Sequence, residues 1–197
     1  MYFNNDEHDD AKVVAEKSNR IEEKLSFQSR FVFIYGGIDH VMAKTTCERL
    51  IALSHESADP ITIVISSPGG HVESGDAIHD MIKFVRAPIT IIGTGWVASA
   101  GSHIFLAVPK ERRLCMPNTR FMIHQPAGGA GGQASDMVIQ AREILKVRER
   151  LAQVVSEETG QSLIKVMADM ERDYWMTAVE AIDYGIVSRI VRTHNDV

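Results

Sequence analysis

The stretch ITIVISSPGGHVESGDAIHDMIKFVRAPITII, residues 61–92, decides the architecture. Ile61 to Ile65 is a short apolar run rich in β-branched residues, which reads as a buried strand. Ser67-Pro-Gly-Gly70 breaks the run, because proline and paired glycines mark a turn. From about Val72 to Phe84 the apolar residues recur at helical spacing. Pro88 separates that helix from Ile89-Thr-Ile-Ile92, which repeats the short strand pattern. A strand, a helix and another strand in this order form a βαβ unit and imply a parallel sheet.

The alternation extends in both directions. Upstream, Phe31 to Tyr35 is a buried-strand pattern ending at Gly36-Gly37, and Asp39 can cap a helix whose apolar face carries Ala43, Leu50, Ile51 and Leu53. Downstream, Gly93-Thr-Gly95 punctuates the strand, and the small-residue segment Ala98-Ser-Ala-Gly101 opens an apolar helix. Two short strands, Arg113 to Met116 and Arg120 to His124, flank Pro117. Residues 125–133 hold four glycines and read as a loop. A long helical pattern follows to about Thr159, with Met137, Ile144, Leu145, Leu151 and Val155 as apolar positions and Gly160 as its stop. Ser162 can cap a short helix, Thr177-Ala-Val-Glu180 is a capping box for another, and Gly185 ends that one. Ile186 to Val191 closes the chain as a strand, and no internal repeat is visible. The class is α/β.

Composition narrows the function. The 197 residues suit one domain with a sizeable core: 45% are hydrophobic and 24% charged. Net charge is -5, which removes the usual driving force for binding phosphate backbones, so no nucleic-acid partner is expected. Cys47 and Cys115 are too few for a disulfide framework and read as buried free thiols. No apolar run approaches the roughly 18 residues of a membrane span, and the N-terminus MYFNNDEHDD lacks the order of a secretory signal. The expected location is the cytoplasm. Residues 1–24 carry seven acids against four bases and read as an acidic arm, with a helical turn from Ala11 to Lys24.

Several positions can carry chemistry. Ser99 lies between Ala98, Ala100 and Gly101 just after a strand, where small neighbours leave its hydroxyl accessible and a helix start offers free N–H groups. A serine nucleophile needs a base; taken alone, Ser99 reads first as an ordinary helix N-cap. His124 ends a strand beside the glycine loop and is the candidate base, or a structural histidine. Asp173, next to Tyr174 and Trp175, is placed to be partly buried and to orient an imidazole, or is a surface acid. His103 is nearer in sequence to Ser99 but sits one turn along the same helix. The Ser67–Gly70 turn can direct N–H groups at an anion, either a phosphate or an oxyanion. It lacks the GxxxxGK[ST] pattern of a nucleotide site, and no HExxH or CxxC spacing calls for zinc, so neither a metal nor a bound cofactor is expected.

Together these pieces carry a resemblance. Ser67-Pro-Gly-Gly70, Gly95-Trp-Val-Ala-Ser-Ala-Gly101, Pro117-Asn-Thr-Arg-Phe-Met-Ile-His-Gln-Pro126, Gly132-Gln-Ala-Ser-Asp136, Ala141-Arg-Glu-Ile-Leu145, Glu171-Arg-Asp173 and Glu180-Ala-Ile-Asp-Tyr-Gly185 occur in that order. From about Phe31 to Val191 the chain resembles the proteolytic subunits of the ATP-dependent Clp protease, the ClpP family. The resemblance implies a ClpP/crotonase-like spiral of ββα units with an extended strand–helix handle. The head would span about 25–124 and 161–197, and the handle about 125–160.

The resemblance also implies roles. Ser99 would be the nucleophile of a serine endopeptidase, His124 the general base and Asp173 the orienting acid, with the backbone N–H groups of Gly70 and Ala100 as the oxyanion hole. Gln125, Pro126, Gly128 and Gly129 would bind substrate backbone, and Arg172 would contact a neighbouring subunit. The implied assembly is a homo-oligomer of two stacked heptameric rings that cleaves unfolded polypeptides. These would be delivered by a AAA+ unfoldase such as ClpX or ClpA, which would bind the ATP. The competing readings are a catalytically silent ring subunit and a crotonase-like CoA enzyme. The acidic N-terminus, Trp96 where the family usually has glutamine, and Ala100 where it usually has methionine are the departures; Trp96 is expected to reshape the pocket beside Ser99.

Overall fold

The computed structural model describes residue 21, residues 24–129 and residues 131–197. The predicted acidic arm and its helical turn lie outside the described residues except at Ile21 and Lys24. Among the described residues seven strands form one sheet: β1 (Phe31–Tyr35), β2 (Ile61–Ser67), β3 (Ile89–Ala98), β4 (Arg113–Cys115), β5 (Arg120–Ile123), β6 (Tyr174–Thr177) and β7 (Arg189–Ile190). The helices are α1 (His40–Glu56), α2 (Val72–Phe84), α3 (Ala100–Phe105), α4 (Ala134–Thr159), α5 (Leu163–Asp169) and α6 (Ala178–Tyr184). The main path runs β1-β2-β3-β4-β7, all parallel, as the βαβ reading requires.

The helix boundaries follow from their caps. Asp39 accepts from the Met42 N–H at 2.8 Å, Ser162 caps α5, and Thr177 and Glu180 close the capping box of α6. Gly160 and Gly185 end α4 and α6 in the left-handed region. At Gly185 the helix end packs so tightly on α4 that a Cβ would lie 2.4 Å from the Thr159 carbonyl oxygen. The core of the described residues is one large cluster, in which Ile34, Leu50, Ile63, Ile65, Ile78, Ile91, Phe105 and Phe121 are fully buried, and a small second one of Ile92, Leu114 and Val191.

Four local expectations are corrected. Ile51 faces solvent, so the apolar face of α1 runs through Ala43, Leu50 and Leu53, with Met42 and Cys47 packed partly buried beside them. Gly93-Thr-Gly95 does not end β3: the strand continues to Ala98 through an irregularity, its pairing with β2 jumping from Ile65↔Gly93 to Ser67↔Val97. Tyr174–Thr177 is a strand, antiparallel to β5, that the sequence pattern did not announce. The closing strand is only Arg189–Ile190. Residues 124–129 lie outside the sheet, in keeping with the loop reading of the glycine-rich segment.

That long β3 positions the chemistry. Its first half pairs with β4 (Ile91↔Arg113 to Gly93↔Cys115), and its second half with β5 (Trp96↔Arg120 to Ala98↔Met122). The sheet therefore splits along β3, and the residue after Ala98 emerges beside the end of β5.

Candidate active site

Ser99 sits at that emergence point. It joins β3 to α3 with φ 57° and ψ -122°, a positive φ that a side chain bearing Cβ rarely adopts. The turn is over-determined. The Ser99 N–H donates to the Met122 carbonyl on β5 at 2.9 Å, and the Ser102 hydroxyl lies 2.9 and 2.8 Å from the Val97 and Met122 carbonyls. A strained strand-to-helix elbow of this kind lifts a nucleophile clear of the sheet.

Register supplies the partners. β5 and β6 end with Ile123 opposite Tyr174, so the residues just beyond that pair, His124 and Asp173, meet at the sheet edge. His124 Nε2 lies 2.8 Å from Ser99 Oγ, and His124 Nδ1 lies 3.0 Å from Asp173 Oδ1. The three predicted residues are thus joined in one hydrogen-bonded line. With its Nδ1–H donated to the carboxylate, the imidazole presents the Nε2 lone pair to the serine hydroxyl, the tautomer that general base catalysis requires. Asp173 departs from expectation in one respect. Its side chain is 62% exposed: Trp175 stacks on Trp96 and Tyr174 packs beside Tyr184.

The Ser67–Gly70 turn is seated directly against this elbow. Gly69 has φ 95°, and a Cβ there would fall 2.6 Å from Ser99 Cβ and 3.0 Å from the Ala100 nitrogen. Gly70 has φ 152°, and its Cβ would overlap the Ile38 carbonyl oxygen at 2.2 Å. Only glycine allows so close an approach. The turn is tied down by Ser67, whose hydroxyl donates to the Gly36 carbonyl at 2.7 Å and accepts from the Gly69 N–H at 3.1 Å. Neither the Gly70 nor the Ala100 N–H makes a turn, loop or cap hydrogen bond with another backbone group among the described residues.

Two concavities flank the line. One, beside Ser99, is walled mainly by apolar side chains from three elements and the segments between them: Val72, Ile123, Pro126, Leu151, Val155 and Met170. His103 and Ser102 complete it. The other is an open groove along His124 to Gly128, bounded by Glu171, Arg172 and Asp173. Gln125 and Pro126 line this groove, and Gly128 does too; Gly129 does not. Gln125 anchors the segment, since its N–H donates to the Met170 carbonyl at 2.6 Å and its amide to the Glu171 carbonyl at 2.8 Å. Its own N–H is therefore not free for a ligand. Arg172 is exposed and makes no ion pair among the described residues, whereas its neighbour Glu171 takes Arg148 at 2.6 Å.

Trp96 does not enter the pocket beside Ser99, contrary to expectation. It stacks on Trp175 across the sheet at 6.5 Å, and the Arg120 guanidinium lies 4.4 Å over Trp175. Conversely, sequence reasoning set His103 aside as a same-helix residue and missed Leu151, Val155 and Met170. Their sequence positions look like ordinary helix core, and only the packing of α4 and α5 brings them to Ser99. Among the described residues no three His, Cys, Asp or Glu side chains are grouped as a metal site, and no helix is long and apolar enough to cross a membrane.

The family model described as Clp protease matches residues 14–194. An "ATP-dependent Clp protease proteolytic subunit 3" of Rhizobium etli is 53% identical over 193 residues, covering 98% of this chain and all of the relative. A "proteolytic subunit 2" of Treponema denticola is 38% identical over 198 residues, 100% of this chain and 98% of the relative. Among solved structures, ClpP1 from Listeria monocytogenes superposes with a TM-score of 0.82 at 48% identity, covering 89% of this chain and 98% of that one.

Proposed function

This chain belongs to the Clp protease family, and from that membership we propose how its serine peptidase activity is carried out. The observation that carries the reading is the unbroken line Ser99 Oγ, His124 imidazole, Asp173 carboxylate at 2.8 and 3.0 Å. Ser99 Oγ attacks the peptide carbonyl carbon as His124 Nε2 takes its proton. Asp173 keeps the imidazole oriented and balances the imidazolium. The carbonyl oxygen, now an anion, moves toward the backbone N–H groups of Gly70 and Ala100. Each such donor is worth about 2.7–4 kcal/mol in the transition state. His124 then protonates the leaving amine, and a water activated by the same imidazole hydrolyses the acyl-enzyme. A CoA-thioester reading has no use for the serine–histidine contact, and a silent subunit would lack a member of the line.

Substrate lies along the groove from His124 to Gly128, where main-chain groups recognise an extended peptide whatever its sequence. The mostly apolar pocket beside Ser99 takes the side chain preceding the cut bond. A chain of this size cannot enclose a chamber, so the working form is two stacked heptameric rings, with Arg172 at the contact between neighbours. Apolar side chains left uncovered on α4, among them Met137, Val138, Ile139 and Leu145, support that assembly. A AAA+ unfoldase in the cytoplasm, of the ClpX or ClpA kind, binds ATP and threads unfolded protein inside; this chain itself needs no metal or cofactor.

Fluorogenic peptide hydrolysis tests the reading. The wild-type chain cleaves, and Ser99→Ala loses turnover to background while keeping particle mass and melting temperature. Undiminished hydrolysis in Ser99→Ala places the nucleophile elsewhere.

A further inference from the structure

Beside the Gly70 turn runs a side-chain relay that lies outside the Ser99–His124–Asp173 line. His71, directly after Gly70, is the N-cap of α2: its Nδ1 lies 3.3 Å from the Ser74 backbone nitrogen and 3.0 Å from Ser74 Oγ. Ser74 Oγ is in turn 3.2 Å from His40 Nδ1 of α1, and the two imidazoles meet edge to face with centroids 4.3 Å apart. Ser74 is buried between them. One fixed donor sets the proton positions. A backbone N–H can only donate, so His71 Nδ1 accepts and the ring's proton is on Nε2. The Ser74 hydroxyl then also donates to His71 Nδ1, and His40 Nδ1–H donates to the hydroxyl oxygen. The other titratable group at the His71 ring is Glu73, whose Oε2 lies 3.3 Å from Nε2.

The relay is tied to both proposed oxyanion donors. The His71 N–H donates to the Ile38 carbonyl at 2.8 Å, and the Ile38 N–H donates to the Gly69 carbonyl at 2.9 Å, so Gly70 is bracketed by two bonds to one residue. One position beyond Ser74, Gly75 lets α2 come close to α3: a Cβ there would lie 3.1 Å from Ala100 Cβ. The first turn of α2 therefore meets Gly70 through His71 and Ala100 through Gly75. A helix start keeps its geometry only while its first N–H groups are paired. Fraying of this turn would move one donor relative to the other. His71 lines neither concavity flanking the catalytic line, so its reach to the chemistry is through the backbone.

We propose that His71 is a positioning residue for the oxyanion hole: by capping α2, with Ser74 and His40 behind it, it fixes the spacing of the Gly70 and Ala100 N–H groups. This deepens the peptidase reading above and rests on it. Preorganised donors stabilise an oxyanion because they need not reorganise as it forms. Loosening them therefore weakens transition-state binding and leaves ground-state binding of the peptide in place.

The test compares the assembled wild-type protein with His71→Ala, His71→Leu and His71→Asn. Two readouts are taken: fluorogenic peptide hydrolysis, and inhibition by a peptide aldehyde, whose adduct with Ser99 places an oxyanion in the hole. Alanine and leucine remove the acceptor, whereas asparagine is a preferred N-cap residue and restores it. His71→Ala and His71→Leu lower kcat about tenfold with KM within about twofold, short of the roughly 10²–10³-fold lost with a whole donor, and weaken the aldehyde about tenfold. His71→Asn returns both readouts to within about twofold of wild type. An unchanged kcat in His71→Ala, a loss carried by KM alone, or a His71→Asn no better than His71→Ala overturns the proposal. If His71→Ala does not assemble, the His71→Leu and His71→Asn pair decides. A wild type that labels at Ser99 with a fluorophosphonate and cleaves, matched by His71→Ala in both readouts, refutes only this inference. A wild type that neither labels nor cleaves refutes the peptidase reading and the inference together.

Discussion

The two halves of α4 have similar apolar residues and different surroundings. Toward its C-terminus, Ala152 and Val155 are buried in the head, and Glu158 binds the fully buried Arg113, whose guanidinium also donates to the Leu106 and Val108 carbonyls. Toward its N-terminus, residues 134–143 are exposed throughout, and Leu145 beyond them is 55% exposed. One helix thus has an end that the chain satisfies by itself and an end that it does not. Apolar periodicity states that a face must be covered; it is silent on whether the cover comes from the same chain.

If that division holds, changes in the head alter chemistry and intrinsic stability, and changes in the outer half of α4 alter assembly. The largest effect belongs to the head. Asp173→Asn is expected to lower kcat on the order of 10²–10⁴-fold, since the amide misorients the imidazole, with no change in particle mass by light scattering. A smaller particle would show that the catalytic edge and the assembly surface are not separate.

Next comes the handle. Leu145→Asp puts a charge on the uncovered face, and the particle should fall to smaller species while the melting temperature of the dissociated chain shifts by less than about 0.5 kcal/mol equivalent. An intact large particle would mean that this face is not the one used.

The smallest effect is on pH dependence, again in the head. Burial lowers the pKa of both His103, to about 4, and His79 below the usual histidine value near 6.5. The unfolded chain therefore binds more protons between those values. Stability contributed by the neutral pair is complete above about pH 6.5 and is lost as the pH falls toward 4. The melting temperature of the dissociated chain should drop over this window, and His103→Phe should flatten the slope. Equal slopes in the two proteins would mean that other groups set the acid limb.

Much of the fold was legible because its signals are local. Pro88, Gly160, Gly185 and the side chains of Asp39, Ser162 and Thr177 mark ends through the chemistry of a few neighbouring residues. What escaped depends on partners distant in sequence. Gly93 and Gly95 read as a strand end, but β3 continues because β5 pairs with its second half. Tyr174–Thr177 is too short and too exposed to show alternation, and becomes a strand through its register with Arg120–Ile123. The site behaved likewise. Ser99 stood in a visible small-residue segment and His124 at a visible strand end, whereas the exposure of Asp173, the stacking of Trp96 on Trp175 and the place of His103 in the pocket wall required three-dimensional packing. The strained φ at Ser99 has no signal beyond the small residues around it.

The central claim is that Ser99 is activated by His124, and active-site labelling tests it most directly. A fluorophosphonate probe followed by peptide mapping should modify Ser99 in the wild-type particle, with labelling lost in Ser99→Ala and greatly slowed in His124→Ala. Modification at another serine, or none in a folded and assembled sample, would contradict the account.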